Sequence, residues 1–113
     1  MDDAVRRYLD AAPAEHRVLF DRLHALVMQA YPDAETVISY QIPTYRVGAR
    51  RLYVGVWRHG LSVYGWRRDR AADFAVRHAD LVGAKGTVKL RPNDLQALSD
   101  AELLQLVHAA LAE

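Results

Sequence analysis

The sequence predicts an α+β fold, an antiparallel sheet of about five short strands with N- and C-terminal helices packed on one face. Three observations carry this. Helical spacing of apolar residues is confined to the two ends and one short internal stretch. Residues 35–66 are instead rich in β-branched and aromatic residues. The turns between these strand-like runs are short, which demands antiparallel neighbours. With 113 residues, the chain has the ordinary size of one domain, 1–113.

Asp2 to Ala11 reads as a short helix, capped by Asp2 or Asp3, with Val5, Tyr8 and Leu9 on one face. Pro13 opens a second helix at its first turn, where its missing N–H costs nothing. Glu15 adds negative charge where the helix dipole favours it. Leu19, Leu23, Leu26, Val27 and Ala30 form the buried stripe of this helix, with Arg17, Asp21, Arg22 and Gln29 largely off it. Tyr31-Pro32-Asp33 ends it, because proline disfavours helix at the preceding residue.

Thr36-Val37-Ile38-Ser39-Tyr40 is strand-like, and Ile38-Ser39-Tyr40-Gln41-Ile42-Pro43-Thr44-Tyr45 is expected at a helix-to-sheet junction. Tyr45-Arg46-Val47 leads into a turn at Gly48-Ala49-Arg50. Leu52-Tyr53-Val54-Gly55-Val56-Trp57 is nearly continuously apolar, as befits a central strand. Arg58-His59-Gly60 is a hairpin turn and Leu61-Ser62-Val63-Tyr64 the next strand. Asp69 to Ala79 returns to helical spacing and Gly83 breaks it. Thr87-Val88-Lys89-Leu90 is a last short strand, ended by Pro92. Ser99 and Glu102 form a capping box for the closing helix, Leu98 and Leu103 its hydrophobic staple, and Leu103, Leu106, Val107 and Ala110 its stripe.

Composition narrows the function. Apolar residues make up 51 % of the chain, which argues against disorder. A formal net charge of +1 argues against a dedicated nucleic-acid binder. Cysteine is absent, so disulfides, thiolate metal sites and cysteine nucleophiles are excluded. That fits a reducing cytosol, and a cytoplasmic protein is expected. The acidic start Met1-Asp2-Asp3 does not resemble a signal peptide. No apolar run approaches the ~20 residues of a membrane span.

No arrangement of reactive side chains marks an enzyme, and none is expected. His16, His24, His59, His78 and His108 include no i,i+4 pair, so they read as solvated or locally hydrogen-bonded. No Gly-x-Ser-x-Gly elbow is present. Gly83-Ala84-Lys85-Gly86-Thr87 lacks the leading glycine of a phosphate loop and precedes a strand, although Lys85 can reach an anionic ligand. Arg50-Arg51 and Arg67-Arg68-Asp69-Arg70 interleave with Tyr45, Tyr53, Trp57, Tyr64 and Trp66. Cations with aromatics suit single-stranded nucleic acid. At near-neutral net charge the arginines read instead as solubilising side chains laid over rings. The acids Asp2, Asp3, Asp10, Glu15, Asp21, Asp33 and Glu35 are irregularly spaced, as caps and surface charges are.

Three motifs carry a family resemblance, and the closing helix fits it too. Pro13-Ala14-Glu15-His16-Arg17 opens a helix that ends near Tyr31-Pro32. Ile38 to Tyr45 holds Ser-Tyr-x-x-Pro followed by an aromatic, with Gln41 where glycine is usual. Lys85-Gly86-Thr87-Val88-Lys89-Leu90 precedes Pro92, and Leu103-Leu104-Gln105-Leu106-Val107 lies in the closing helix. In this order they resemble the YdhG-like domain of unknown function, a family of small bacterial proteins. The resemblance implies this fold. Through one branch of the family it also implies a frataxin-like iron chaperone that serves haem or iron–sulfur assembly. No dense acidic ridge accompanies it here, and no metal ligands are assigned.

The expected role is therefore a small binding protein, taking a small molecule or a protein partner, with iron carriage as the alternative. Its expected site is lined by Ser39, Tyr40, Pro43, Tyr45, Tyr53, Tyr64, Trp66, Lys85 and Thr87. Hydroxyls and amphipathic rings would orient a ligand there. The same aromatics equally suit a core with satisfied hydroxyls. No cofactor other than iron is implied.

Overall fold

A computed structural model describes residues 2–83 and 85–113, so Ala84 of the Gly83–Thr87 loop lies outside the described residues. The fold is α+β, as expected. Helices α1 (Asp3–Asp10) and α2 (Ala14–Ala30) precede strands β1 (Glu35–Ser39), β2 (Ile42–Val47), β3 (Arg50–Trp57) and β4 (Gly60–Tyr64). Then come α3 (Ala72–Arg77), β5 (Val88–Leu90), α4 (Asp94–Ala97) and α5 (Asp100–Leu111). The strands form one antiparallel meander in sequence order, β1-β2-β3-β4-β5.

Register sorts the side chains. Thr36 pairs with Tyr45, Tyr45 with Leu52, Val54 with Val63, and Val63 with Val88. Because side chains alternate along a strand, these residues share one face. That face is buried, together with Val5 and Leu9 of α1, Leu19, Phe20 and Leu23 of α2, and Leu103, Leu106 and Val107 of α5. The outer face carries Val37, Ile42, Thr44, Tyr53, Trp57 and Tyr64 and contributes nothing to this hydrophobic cluster.

Several details differ from the sequence reading. The stretch from Ile38 to Tyr45 is not a helix-to-sheet junction. It is a hairpin inside the sheet, with Ser39 paired to Ile42 across a two-residue turn, Tyr40-Gln41. The buried stripe of α2 also includes His16 and Phe20, one turn apart from Leu19 and Leu23. Only six residues of the Asp69–Ala79 stretch are α-helical, Ala72–Arg77, between single 3-10 turns at Arg68–Arg70 and Ala79–Leu81. Strand β5 starts at Val88, not Thr87.

Two contacts fix the sheet against its surroundings. Pro43 has no N–H to donate, and the β2–β3 ladder runs only from Thr44↔Tyr53 onward. The Val56 N–H beyond the end of that ladder donates instead to the Tyr8 hydroxyl of α1 at 2.9 Å. At Gly60 a Cβ would overlap the Leu90 carbonyl, so only glycine lets β4 and β5 approach here.

The capping box of α5 is present as predicted. Glu102 N–H donates to Ser99 Oγ at 3.1 Å, and Ser99 N–H donates back to Glu102 Oε1 at 3.1 Å. The other carboxylate oxygen of Glu102 bonds His78 at the end of α3. The His78 hydrogen bond, then the Ser99 N–H, depress the Glu102 carboxyl from 4.5 to about 2. A depressed acid stabilises the fold fully above its unfolded value and progressively less as pH falls through the folded one. We therefore expect Glu102→Gln to flatten the loss of stability between about pH 4.5 and pH 2. Urea midpoints across that window, wild type against variant, check it.

Candidate functional site

The outer face of the sheet supplies the candidate site. Across it, Val37, Thr44, Tyr53 and Tyr64 form one cross-strand row, since each pairs with the next. Ile42 lies beside this row. It packs over the bare backbone of Gly55, where a Cβ would stand 3.3 Å from the Ile42 side chain. Thr44 is buried within the face, its hydroxyl donating to the Ile42 carbonyl at 3.2 Å. The floor is therefore apolar and closely packed, while the rings above it remain accessible.

The hairpin tip forms one wall. Tyr40 is 84 % exposed, the most exposed large apolar side chain of the described residues. Its ring leans on Tyr53 with centroids 5.9 Å apart and planes tilted at 60°, within the centroid range of favourable aromatic pairs. Tyr40, Ile42, Tyr53 and Tyr64 enclose a shallow groove of about 490 Å³. That volume is within the ~300–1,000 Å³ usual for small-molecule sites.

The tip is also strained. Tyr40 has φ +52° and Gln41 φ +68°. A two-residue hairpin whose central residues both have positive φ is built for Asn-Gly or Asp-Gly. A side chain with a Cβ costs about 1–2 kcal/mol in this left-handed region. Strain of this kind concentrates at binding surfaces and active sites.

The nine residues expected to line one site divide into three groups. Tyr40, Tyr53 and Tyr64 are brought together at the groove, with Ser39 half-buried at its end. Pro43 and Tyr45 point the other way and are buried, opposite Ile38 and Leu52. Trp66, Lys85 and Thr87 lie around the loop before β5 and do not line the groove. Trp66 is core, its Nε1–H donating to the Gly86 carbonyl at 2.5 Å and its ring set edge-on to Phe74. Ile42 lines the groove and was not expected there. Period-two counting back from Thr44 identifies it once the hairpin register is fixed.

Tyr45 realises the alternative reading, a core aromatic with a satisfied hydroxyl. It is 0 % exposed, stacks on Phe20 with centroids 6.4 Å apart, and shares a 2.8 Å hydrogen bond with His24 Nδ1. Burial, then the nearby Asp21 carboxylate, pushes the Tyr45 phenol up. Burial pulls the His24 imidazole down. Both groups are neutral at neutral pH, so the pair is a structural hydrogen bond.

The histidines behave mostly as expected. His24, His78 and His108 each have a local partner, Tyr45, Glu102 and Tyr31 respectively. His16 is different: it is buried, and its Nδ1 has no hydrogen-bond partner. Among the described residues no three His, Asp or Glu side chains stand close enough to hold a metal ion. Among them, too, no helix is long and apolar enough to cross a membrane. The chain matches no family model, no curated protein and no solved structure.

Proposed function

We propose that the protein is a binding module that takes a small aromatic ligand, or the aromatic side chain of a partner, on the outer face of its sheet. One observation carries the reading. A tyrosine that is 84 % exposed is held on a strained turn, above a groove of about 490 Å³ whose floor and far wall are apolar and aromatic. An exposed ring in such a place costs stability and gains nothing from the fold's own core. Contact with a ligand ring offsets that cost, because aromatic pairs contribute about 0.5–1.5 kcal/mol beyond the area they bury.

The tyrosine hydroxyls provide direction. Tyr53 and Tyr64 stand side by side on paired residues, so their polar tips supply donors and acceptors around an apolar centre. The proposed role is binding without catalysis. Membership of the YdhG-like family is part of the same proposal, since the central motif of that resemblance forms this hairpin. Iron carriage has no comparable support, because no ligand set converges among the described residues.

A small library of aromatic fragments titrated into the isotope-labelled protein tests the reading. Amide shifts are expected to map to Tyr40, Gln41, Ile42, Tyr53 and Tyr64. Shifts that map elsewhere, or a library without a single saturable binder, would overturn it.

A further inference from the structure

A second cavity lies where β3 runs into the β3–β4 turn, and three elements meet there. It has a volume of about 260 Å³ and is lined by Glu15 and His16 of α2, Arg58 and His59 of the β3–β4 turn, and Arg91 to Asn93 after β5. The volume is below the ~300–1,000 Å³ of pockets for drug-sized molecules. It suits a small polar ion better than an organic body.

The lining is cationic. Two arginines, Arg58 and Arg91, line it together with one acid, Glu15. Neither guanidinium forms an ion pair among the described residues, while the Arg91 backbone N–H donates to the Asp94 carboxylate at 2.7 Å. Arg91 is not loose: its guanidinium carbon lies 5.8 Å from the centre of the Trp57 ring. Lys89 Nζ lies 4.7 Å from the same ring, and His59 meets it edge-on at 5.1 Å. Trp57 thus holds Lys89, Arg91 and His59 around its ring, and the last two also line the cavity.

The inner wall points the same way. His16 is only 3 % exposed, and its Nδ1 is buried without any hydrogen-bond partner. Its Nε2 is 3.9 Å from Glu15, too long for a hydrogen bond. The cavity also adjoins the first turn of α2, whose cap position is Pro13, a residue with no side-chain acceptor. A 17-residue helix presents partial positive charge at that end.

The geometry points to an anion site for a phosphate monoester dianion, bound by Arg58 and Arg91 with His16 behind it and α2 below. Planar guanidiniums match phosphate oxygens two at a time, which a point-charge ammonium cannot do. The site is separate from the aromatic groove and stands whether or not that groove binds a ligand.

Inorganic phosphate and glycerol phosphate, titrated separately into the labelled full chain at constant ionic strength, test it. Saturable amide shifts are expected at Glu15, His16, Arg58, His59, Arg91 and Asn93. Equal affinity for both probes identifies the phosphate group itself as what is recognised. Tighter binding of glycerol phosphate identifies the phosphate end of a larger molecule. Arg58→Gln and Arg91→Gln are each expected to weaken binding by about tenfold or more, the usual effect of losing a charge-assisted hydrogen bond. Arg58 is on an exposed turn, so its variant keeps the wild-type melting temperature. The same shifts with sodium chloride alone, or unchanged affinity in both arginine variants, would overturn the site.

Discussion

Replacing Tyr45 with alanine should destabilise the protein by about 3–5 kcal/mol, the range for deleting a large buried ring. Tyr45 is wholly buried between the sheet and α2, against Phe20 and His24. Tyr45→Phe separates packing from hydrogen bonding. It keeps the ring but leaves His24 Nδ1 without its partner, and should cost about 1 kcal/mol. Urea denaturation of the three proteins measures both. The phenylalanine variant should bind aromatic fragments as the wild type does, because Tyr45 faces away from the groove. A Tyr45→Ala variant as stable as wild type would contradict the core assignment.

The hairpin tip should behave in the opposite way. In a variant carrying Tyr40→Asn with Gln41→Gly, the turn receives the residues that its backbone favours. Gln41→Gly removes one left-handed side chain, worth about 1–2 kcal/mol, and asparagine suits that region better than tyrosine. Loss of the Tyr40–Tyr53 ring pair costs about 0.5–1.5 kcal/mol. The first effect outweighs the second, so the variant should be at least as stable as wild type. Its affinity for aromatic fragments should fall by about tenfold or more, since a central exposed tyrosine is the kind of residue that dominates an interface. Stability and binding would then move in opposite directions from one change.

The contrast between Tyr45 and Tyr40 shows what the sequence makes legible. Helix α2, the strand Leu52–Trp57, the Gly48 and Gly60 turns and the Ser99–Glu102 box are each specified by local signals, periodicity or turn and cap chemistry. The turn at Tyr40-Gln41 has no such signal, because neither residue favours positive φ. From sequence the hairpin therefore resembles a junction.

Which tyrosines share a face depends on that missing detail. Two-residue turns in this meander pair an odd-numbered residue with an even-numbered one, as Tyr45 with Leu52 and Tyr53 with Tyr64. Tyr45 and Tyr53 therefore lie on opposite faces, although composition treats them alike. Trp66 lies past the end of β4, beyond Gly65 at φ +91°, and the fold buries it against Phe74. His16 falls at helical spacing with Leu19, Phe20 and Leu23. A histidine there reads as polar until the burial of the helix is known. The second cavity joins residues far apart in the chain, Glu15, Arg58 and Arg91, and only the fold brings them together.

The central claim is that the strained tip is kept for binding. Its most direct test is a fragment titration of the Tyr40→Asn, Gln41→Gly variant beside the wild type, with urea stability measured on the same samples. The account predicts a variant at least as stable as wild type that has lost fragment binding at Ile42, Tyr53 and Tyr64. A variant equally stable and binding with undiminished affinity would contradict it, because the exposed tyrosine would then contribute nothing to recognition.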